Sequence, residues 1–347
     1  MKKSISVACV LSAQCAFGGT LVVLNKSEAT ASLVNLNSLK VVATVKTGIG
    51  PHEVAISNDG KTAVVANYGD NSEGNTLTLI DLHAARVVGE ISLGAYTRPH
   101  GISFTENSNE LVVTAEEQKA ILKVDLLLKK VTQVIKTDQS ISHMLSVDTT
   151  NKRVFVSNIG AKVISVLDLI ENKKIIDIET DKGPEGIDYN SYNNEIWVAN
   201  RSANNLTVID SASLKVKTKI NTGEFPIRVK FTPDNKYVLV TNAQSGSLDI
   251  FNSITKEKIK TVQFPKSNMD TAGKMFGDKF KMSSVPIGIA FDPQNQRAFI
   301  AHASLDQISV FDLKKLELVD SFKAGREPDG MAYSKITMQD KQKGLSQ

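Results

Sequence analysis

Three of the five histidines in this sequence recur at matching points of a repeated pattern. Two of them follow a proline, in Pro51-His52 and again in Pro99-His100, and each pair begins an alternating apolar run. His143 stands at the same point of a later run, SHMLSV. Because neutral imidazoles are common ligands of Zn²⁺ and Cu²⁺, three of them converging would favour a divalent transition-metal site.

Acidic and basic side chains accompany these histidines. Glu185 and Glu116 are candidate fourth ligands of the metal, and Glu53 is a candidate partner that orients an imidazole. Because a guanidinium can hold a carboxylate or a phosphate with two hydrogen bonds, Arg201 and Arg228 predict an anionic ligand on the other side of the site. The remaining candidates for ligand contact are Lys26, Tyr68, Asp329 and His302.

The same residues also allow a purely structural interpretation. Histidines at the entrance of a polar channel can simply hydrogen-bond neighbouring backbone, and carboxylates there can serve only to solvate it. Arg201 or Arg228 can form a salt bridge of modest strength with Glu185. His302 stands where other repeats have an asparagine that ties a turn, which favours the structural interpretation for that histidine.

A repeat of about 42 residues must position these side chains. The matching segments are PHEVAIS, PHGISF, SHMLSV, PEGIDY, PIRVKF, PIGIAF and PDGMAY, with spacings of 48, 43, 42, 42, 60 and 42 residues. Each full repeat contains four strands rich in β-branched residues, joined by polar turns, and no segment of helical period. Repeats of this length and content are typical of β-propeller blades.

The two ends of the chain complete one repeat between them. Residues 20–49 supply only the second, third and fourth strands of a repeat, and residues 326–334 supply only a first strand. Joined, they form a composite blade that hides the sheet edges which an open array would expose. The sequence therefore predicts an all-β, seven-bladed β-propeller of four-stranded blades, forming one domain over residues 19–340.

Two sequence columns meet at one mouth of the predicted channel. The first strand of a blade begins at this face and the second strand returns to it, so the residues after each proline lie near the second-strand ends. Five second strands end in asparagine, which we interpret as architectural. Two insertions, residues 68–76 and 266–284, lie at the same mouth, and the longer one is either a flexible cover or a solvated loop.

The second-strand endings VVANYG, FVSNIG, WVANRS and LVTNAQ resemble the Tyr-Val-Thr-Asn (YVTN) repeat propellers, which include the YncE-like exported proteins of bacteria. The resemblance covers essentially the whole mature chain and implies a propeller fold. It does not imply one activity, because relatives include binding proteins, surface proteins, haem-carrying propellers of nitrite reductases and propeller lactonases. Haem is therefore an alternative to a bound metal ion.

Three kinds of function are consistent with these patterns. The first is a binding protein that captures a small anionic ligand, a metal or a cofactor and passes it to a periplasmic partner. The second is a metal-assisted hydrolase or lyase acting on a ring ester or a carboxylate, with Arg201 and Arg228 orienting the substrate. The third is a protein-interaction scaffold. Because the sequence identifies no general base, we favour binding and leave open whether the chain is an enzyme.

The N-terminal residues predict export. Lys2 and Lys3 precede a short, mostly apolar run, and Ala16-Phe17-Gly18 is a candidate cleavage site, so we interpret residues 1–18 as a signal peptide. The alternative is an uncleaved, buried first strand. Export implies a periplasmic or secreted protein, and the mature chain is expected to be a monomer without a membrane span.

Composition narrows the partners. Both cysteines lie within the predicted signal peptide, so the mature chain is expected to have no disulfide and no thiolate ligand. The net charge of +4 is small, and an aromatic content of 6% without basic clusters predicts no nucleic-acid partner. Residues 341–347 form a polar tail.

Overall fold

The computed structural model describes residues 18–266, 273–294 and 296–340, which form seven four-stranded antiparallel sheets. The predicted seven-bladed, all-β propeller is thereby confirmed. Residues 1–17 of the predicted signal peptide and the tail at residues 341–347 lie outside the described residues. No helix of the described part is both long and apolar enough to span a membrane.

The strands are numbered in chain order, and blades 1 to 6 each use four consecutive strands. The chain begins with β1 (Thr20–Asn25), β2 (Thr30–Asn35) and β3 (Lys40–Lys46). Blade 1 contains β4 (Pro51–Ile56), β5 (Thr62–Gly69), β6 (Glu73–Asp81) and β7 (Arg86–Ser92). Blade 2 contains β8 (Pro99–Phe104), β9 (Glu110–Ala115), β10 (Ala120–Asp125) and β11 (Lys130–Lys136). Blade 3 contains β12 (Ser142–Asp148), β13 (Arg153–Asn158), β14 (Val163–Asp168) and β15 (Lys173–Glu179).

The second half of the ring repeats this order. Blade 4 contains β16 (Pro184–Asn190), β17 (Glu195–Asn200), β18 (Asn205–Asp210) and β19 (Lys215–Asn221). Blade 5 contains β20 (Pro226–Phe231), β21 (Tyr237–Asn242), β22 (Ser247–Asn252) and β23 (Lys258–Gln263). Blade 6 contains β24 (Pro286–Asp292), β25 (Arg297–His302), β26 (Gln307–Asp312) and β27 (Glu317–Lys323). Blade 7 joins the last strand, β28 (Pro328–Ser334), to β1, β2 and β3.

One apolar cluster fills each interface between neighbouring blades. Between blades 4 and 5, for example, Trp197 is fully buried and contacts Phe231 and Phe251. Second strands such as β17 are buried on both faces, because they lie between two neighbouring sheets. Outer strands such as β19 carry mostly exposed lysine and threonine. The core is therefore a ring of seven interfaces around the channel rather than one central cluster.

The first strand of every blade is irregular directly after its first residue. In blade 1, Pro51 pairs with Asn67 and Glu53 with Ala66, so His52 is left out of the ladder as a bulge. The same shift follows Pro99, Ser142 and Pro184. A β-bulge re-aims side chains, and here it occurs at the column that the sequence selected as the channel lining.

A hydroxyl group in three second strands holds the next blade. Thr114 of β9 donates a hydrogen bond of 2.8 Å to the backbone carbonyl of His143 in blade 3. Ser157 and Thr241 make equivalent bonds to the carbonyls of Glu185 and Ile287. In these three blades, the hydroxyl residue next to the end of the second strand thus fixes the backbone of a channel-lining residue in the neighbouring blade.

The described part of the longer insertion packs against the propeller and is not simply solvated. It contains the one short α-helix of the described residues, α1 (Gly277–Phe280), whereas the described part of the repeats contains only a single 3₁₀ turn at Lys26–Glu28. Phe276 and Phe280 contact Phe225 of the loop before blade 5, with ring centroids 5.2 and 4.9 Å away. The Lys274 ammonium pairs with Asp306 at 2.8 Å. The shorter insertion extends the β5–β6 hairpin of blade 1.

Candidate functional site

The two predicted columns converge on a cavity of about 210 Å³ at the channel mouth, which we call the mouth pocket. Its wall contains nine of the twelve candidate residues: Lys26, His52, Tyr68, His100, His143, Glu185, Arg201, Arg228 and Asp329. Glu53 and Glu116 lie directly behind this wall, where each contacts a lining residue. The sequence columns thus predicted which of these side chains lie together, and the structure shows how they pair.

Three imidazoles from blades 1, 2 and 3 form a continuous stack, which we call the imidazole row. The rings of His52 and His100 lie 4.8 Å apart, and those of His100 and His143 lie 3.6 Å apart. At one end, His52 Nδ1 lies 2.7 Å from a carboxylate oxygen of Asp329 in blade 7. At the other end, His143 Nδ1 contacts Glu116, and its Nε2 lies 3.5 Å from Glu185 in blade 4. The row is thus closed by a carboxylate at each end.

The imidazole row carries its proton on His143. Burial alone would lower the pKa of His143, but the carboxylates of Glu116 and Glu185 outweigh burial and raise it to about 9. Burial, with the charge of His143 as a further cause, holds the pKa of His100 well below its ordinary value. The pKa of His52 is also lowered, mainly by burial, although Asp329 opposes this effect. At neutral pH His52 and His100 are therefore neutral.

His100 is the least satisfied member of the row. It is only 2% exposed, and its Nδ1 atom is buried without a hydrogen-bond partner among the described residues. A buried polar atom without a partner is destabilising, so the His100 ring costs the folded state free energy.

Tyr68 covers the open side of the row. Its ring meets the rings of His52 and His100 edge to face, at 4.8 and 5.7 Å. Its hydroxyl donates a hydrogen bond of 2.8 Å to Glu116, the carboxylate that also contacts His143. Burial and the negative charge of Glu116 raise the pKa of Tyr68 above its ordinary value, so the phenol remains a donor. Tyr68 directly follows Asn67 within β5, in the column that the sequence analysis took as the second-strand end.

The two arginines are already paired with carboxylates of the protein. Arg201 donates to Glu185 at 2.6 Å, and Arg228 reaches across the channel to donate to Glu53 at 2.6 Å. Arg228 also lies 3.6 Å from Glu185 and 3.9 Å from Asp329. The pairing of Arg201 with Glu185 is the salt bridge that the structural interpretation of the sequence allowed, whereas the bond from Arg228 to Glu53 was not predicted.

These ion pairs also hold the carboxylates ionised. Burial would raise the pKa of Glu185, but His143 and the two arginines lower it to about 2. The pKa of Asp329 is lowered as well, since His52 and Arg228 more than offset the effect of its burial. The carboxylates of the mouth pocket are therefore negative at neutral pH and face cationic or hydrogen-bonding partners of the protein.

Lys26 is the exception among the cations of the mouth pocket. It belongs to blade 7 and lines the mouth pocket on the side of His52, not on the side of Arg201 and Arg228. Its charge is close enough to lower the pKa values of His52, His100 and Asp329. Within residues 18–266, 273–294 and 296–340, no hydrogen bond or ion pair engages the Lys26 ammonium. The half-buried Lys26 ammonium is thus available to an anion.

His302 does not join the imidazole row. Its two ring nitrogens lie 3.1 Å from the Ser284 hydroxyl and 2.9 Å from the Ser309 hydroxyl, and its ring packs edge-on against Phe264. Burial lowers its pKa to about 3, so it is neutral. His302 lies outside the wall of the mouth pocket, which corrects its inclusion among the ligand-contacting candidates. It replaces the terminal asparagine of a second strand, where hydrogen bonding is structural.

The donor arrangement does not form a ready metal site. Among the described residues, no group of three His, Cys, Asp or Glu side chains is placed to hold a metal ion. The Nδ1 atoms of His52 and His143 already contact carboxylates. Because the rings are stacked, their nitrogen atoms lie beside one another and do not converge on one point, as metal coordination requires. Zinc, copper and haem stay predictions from the sequence.

Apart from the paired Arg228, the wall opposite the imidazole row is apolar, a feature that the sequence analysis did not use. Ile227 and Ile287 occupy the post-proline column in blades 5 and 6, where other blades have His, Glu or Asp. Met275 and Phe276 of the longer insertion complete this wall. The post-proline column of the sequence already contains this feature, because isoleucine occupies the position in two neighbouring blades and polar residues occupy it in the other five.

A second cavity of about 510 Å³ adjoins the mouth pocket, and Lys26, His52, Tyr68 and Met275 line both. It lies between the β5–β6 hairpin, represented by Gly69 and Asp70, and the described end of the longer insertion at Gly273 and Lys274.

Residues 104–231 match a protein-family model described as YNCE-like beta-propeller. Together with the seven-bladed ring, this match supports a propeller of the YncE-like type over these residues. Comparison of the sequence with curated proteins gave no match.

Two solved structures share the fold. The Kuenenia stuttgartiensis hydrazine synthase is 20% identical, with a TM-score of 0.67 over 82% of this chain and 89% of that chain. A functionally unknown protein from Desulfotomaculum acetoxidans DSM 771 is 14% identical, with a TM-score of 0.72 over 91% of this chain and 98% of that chain. At these identities the similarity concerns the fold alone.

Proposed function

We propose that this YncE-like propeller is a binding protein that holds a small anionic ligand in the mouth pocket. The observation that supports the proposal is the environment of Lys26. Arg201 and Arg228 are neutralised by Glu185 and Glu53, whereas the Lys26 ammonium has no partner among the described residues. An anion beside Lys26 would give its ammonium a direct partner of opposite charge, as Glu185 and Glu53 do for the two arginines.

The neutral imidazoles beside Lys26 suit such a ligand. A cation next to charged imidazoles would make the pocket strongly positive, but burial keeps His52 and His100 neutral. Neutral imidazole can both donate and accept hydrogen bonds, so it can recognise a ligand that carries a hydroxyl or carbonyl group besides its charge. With Nδ1 taken by Asp329, His52 has Nε2 left for this purpose.

Replacement of Lys26 by methionine tests the proposal. The Lys26→Met protein should bind acetate or inorganic phosphate at least about tenfold more weakly than the wild type, because the only unpaired cation of the described wall is removed. Isothermal titration calorimetry at neutral pH and low salt measures both affinities. Lys46→Met, on the exposed outer strand β3 of the same blade, is the matched control. Equal affinity in all three proteins, or no binding of either anion, would contradict the proposal.

Hydrolysis is a second candidate, and the contact between His52 and Asp329 favours it. The sequence analysis identified no general base, whereas this pair has the geometry in which a buried carboxylate orients an imidazole for proton abstraction. His52 would accept a proton from a water that attacks a lactone or another ester, and would return it to the leaving alkoxide. Turnover of a lactone panel that disappears in His52→Gln would support this candidate over simple binding.

The protein's location and assembly remain proposals of the same kind. We propose that it acts in the periplasm or outside the cell as a monomer, with the mouth pocket open to solutes or to a protein partner. The support is the N-terminal sequence pattern alone.

A further inference from the structure

The wall of the mouth pocket is divided into two sectors of different chemistry. Blades 7, 1, 2, 3 and 4 contribute a polar arc, which consists of Asp329, the imidazole row and Glu185. Blades 5 and 6 contribute an apolar arc of Ile227 and Ile287, which Met275 and Phe276 of the longer insertion extend. Arg228 of blade 5 also lines the cavity, and its guanidinium is paired with Glu53. Lys26 stands on the polar side, in blade 7. A ligand that fills the cavity must meet both arcs.

We propose that the ligand is a small carboxylate with an apolar hydrocarbon part, whose charged end lies at Lys26 and whose hydrocarbon part lies against Ile227 and Ile287. This inference rests on the anion-binding function proposed above and narrows its ligand class. It follows from the position of the two arcs on opposite sides of one cavity of about 210 Å³.

The apolar arc is a built structure and not an accidental patch. Ile227 and Ile287 belong to one cluster with Phe225, Phe280 and Val285, in which every member is at most 7% exposed. The insertion is tied over this cluster by stacked phenylalanines and by the contact of the Met275 backbone N–H with Glu327. The side chains that form this wall are therefore held in place before any ligand arrives.

Other ligand classes fit this wall less well. A sugar or an inorganic oxyanion filling the cavity would place polar groups against isoleucine and methionine, where they lose water and gain no hydrogen bond. A purely apolar molecule would leave Lys26 and the buried Nδ1 of His100 without partners. A molecule with one charged end and one apolar end avoids both penalties. Free volume of this size equals about seven waters of the liquid, which limits the ligand to a small acid.

A homologous series of acids tests the inference without any mutation. Calorimetry with acetate, propionate, butyrate, pentanoate and hexanoate should show the dissociation constant falling about fourfold per methylene until the chain outgrows the cavity. Hexan-1-ol, which has the hydrocarbon chain but no charge, should bind at least about tenfold more weakly than hexanoate. A flat series in which acetate still binds would overturn this inference and keep the proposed function. No binding by any acid would overturn both.

Variants test whether the gain in affinity with chain length comes from contact with the apolar arc. In Ile287→Thr, hexanoate should bind about tenfold more weakly while acetate affinity is unchanged, because only the hydrocarbon part contacts this wall. Ile259→Thr, on the exposed face of outer strand β23, is the matched control. Circular dichroism verifies folding, and Met275→Gln, at a half-buried position of the same wall, replaces Ile287→Thr if that protein does not fold. Equal weakening of acetate and hexanoate would contradict the assignment.

Discussion

Charge pairing decides the chemistry of individual residues at the mouth of this propeller. Each buried carboxylate there contacts an arginine, a histidine or a tyrosine, so that the ionised groups compensate one another. Only Lys26, among the cations of the described pocket wall, lacks such a partner. The protonated His143, enclosed by Glu116 and Glu185, is the strongest of these pairings, and the ordinary pKa of histidine would not reveal it.

The raised pKa of His143 predicts a loss of stability in alkaline solution. Its folded-state pKa of about 9 exceeds the ordinary value of 6.5, so its contribution is complete below about pH 6.5 and is lost as the pH rises through 9. Between pH 6.5 and 9.5 the free energy of unfolding should fall in the wild type by on the order of 3 kcal/mol more than in His143→Gln. Urea unfolding at both pH values measures this difference. Parallel pH profiles for the two proteins would show that His143 is not protonated in the folded state.

The pairing of residues was only partly predictable from the sequence. The post-proline column placed His52, His100 and His143 on neighbouring blades, because strand order and repeat length fix that position in a propeller. Side-chain rotamers decide whether such rings stack or coordinate, and no sequence pattern specifies them. The bond from Arg228 to Glu53 crosses the channel over 175 positions of sequence, which a local pattern cannot show.

At the scale of the strands, two devices hold the site residues in position. A bulge after the first residue of each inner strand releases the next side chain from the ladder. A hydroxyl of the preceding blade then fixes the backbone of the released residue, as Thr114 does for His143. The repeat pattern predicted the strands and their order, but the bulges were not predicted.

Replacement of Thr114 by valine should destabilise the protein and disturb the imidazole row. Valine has the same shape, but it leaves the buried carbonyl of His143 without its donor, which costs about 1–3 kcal/mol. Urea unfolding measures the loss. Thr132→Val, which removes an exposed hydroxyl that bonds a carbonyl in the same blade, is the control and should change stability by less than about 0.5 kcal/mol. Similar effects of the two substitutions would contradict the role assigned to Thr114.

At the scale of the whole molecule, the ring brings a polar arc and an apolar arc to one pocket. Seven similar interfaces support the ring, so a side chain that lines the channel can differ from blade to blade without altering the fold. This freedom explains why the repeats predicted the architecture well and the ligand poorly. Positions that recur in every blade predict the fold. Ile227, Ile287 and Lys26 differ from the repeat, and they indicate a type of ligand only once the structure shows that they line the same pocket.

The central claim is that the mouth pocket binds a small carboxylate between Lys26 and the apolar arc. The most direct measurement is a crystal structure of protein purified without chelator and soaked with hexanoate. We predict a carboxylate within about 3.2 Å of the Lys26 ammonium, with the hydrocarbon chain against Ile227 and Ile287. A metal ion coordinated by the imidazole row, or hexanoate absent from the mouth pocket, would contradict the claim.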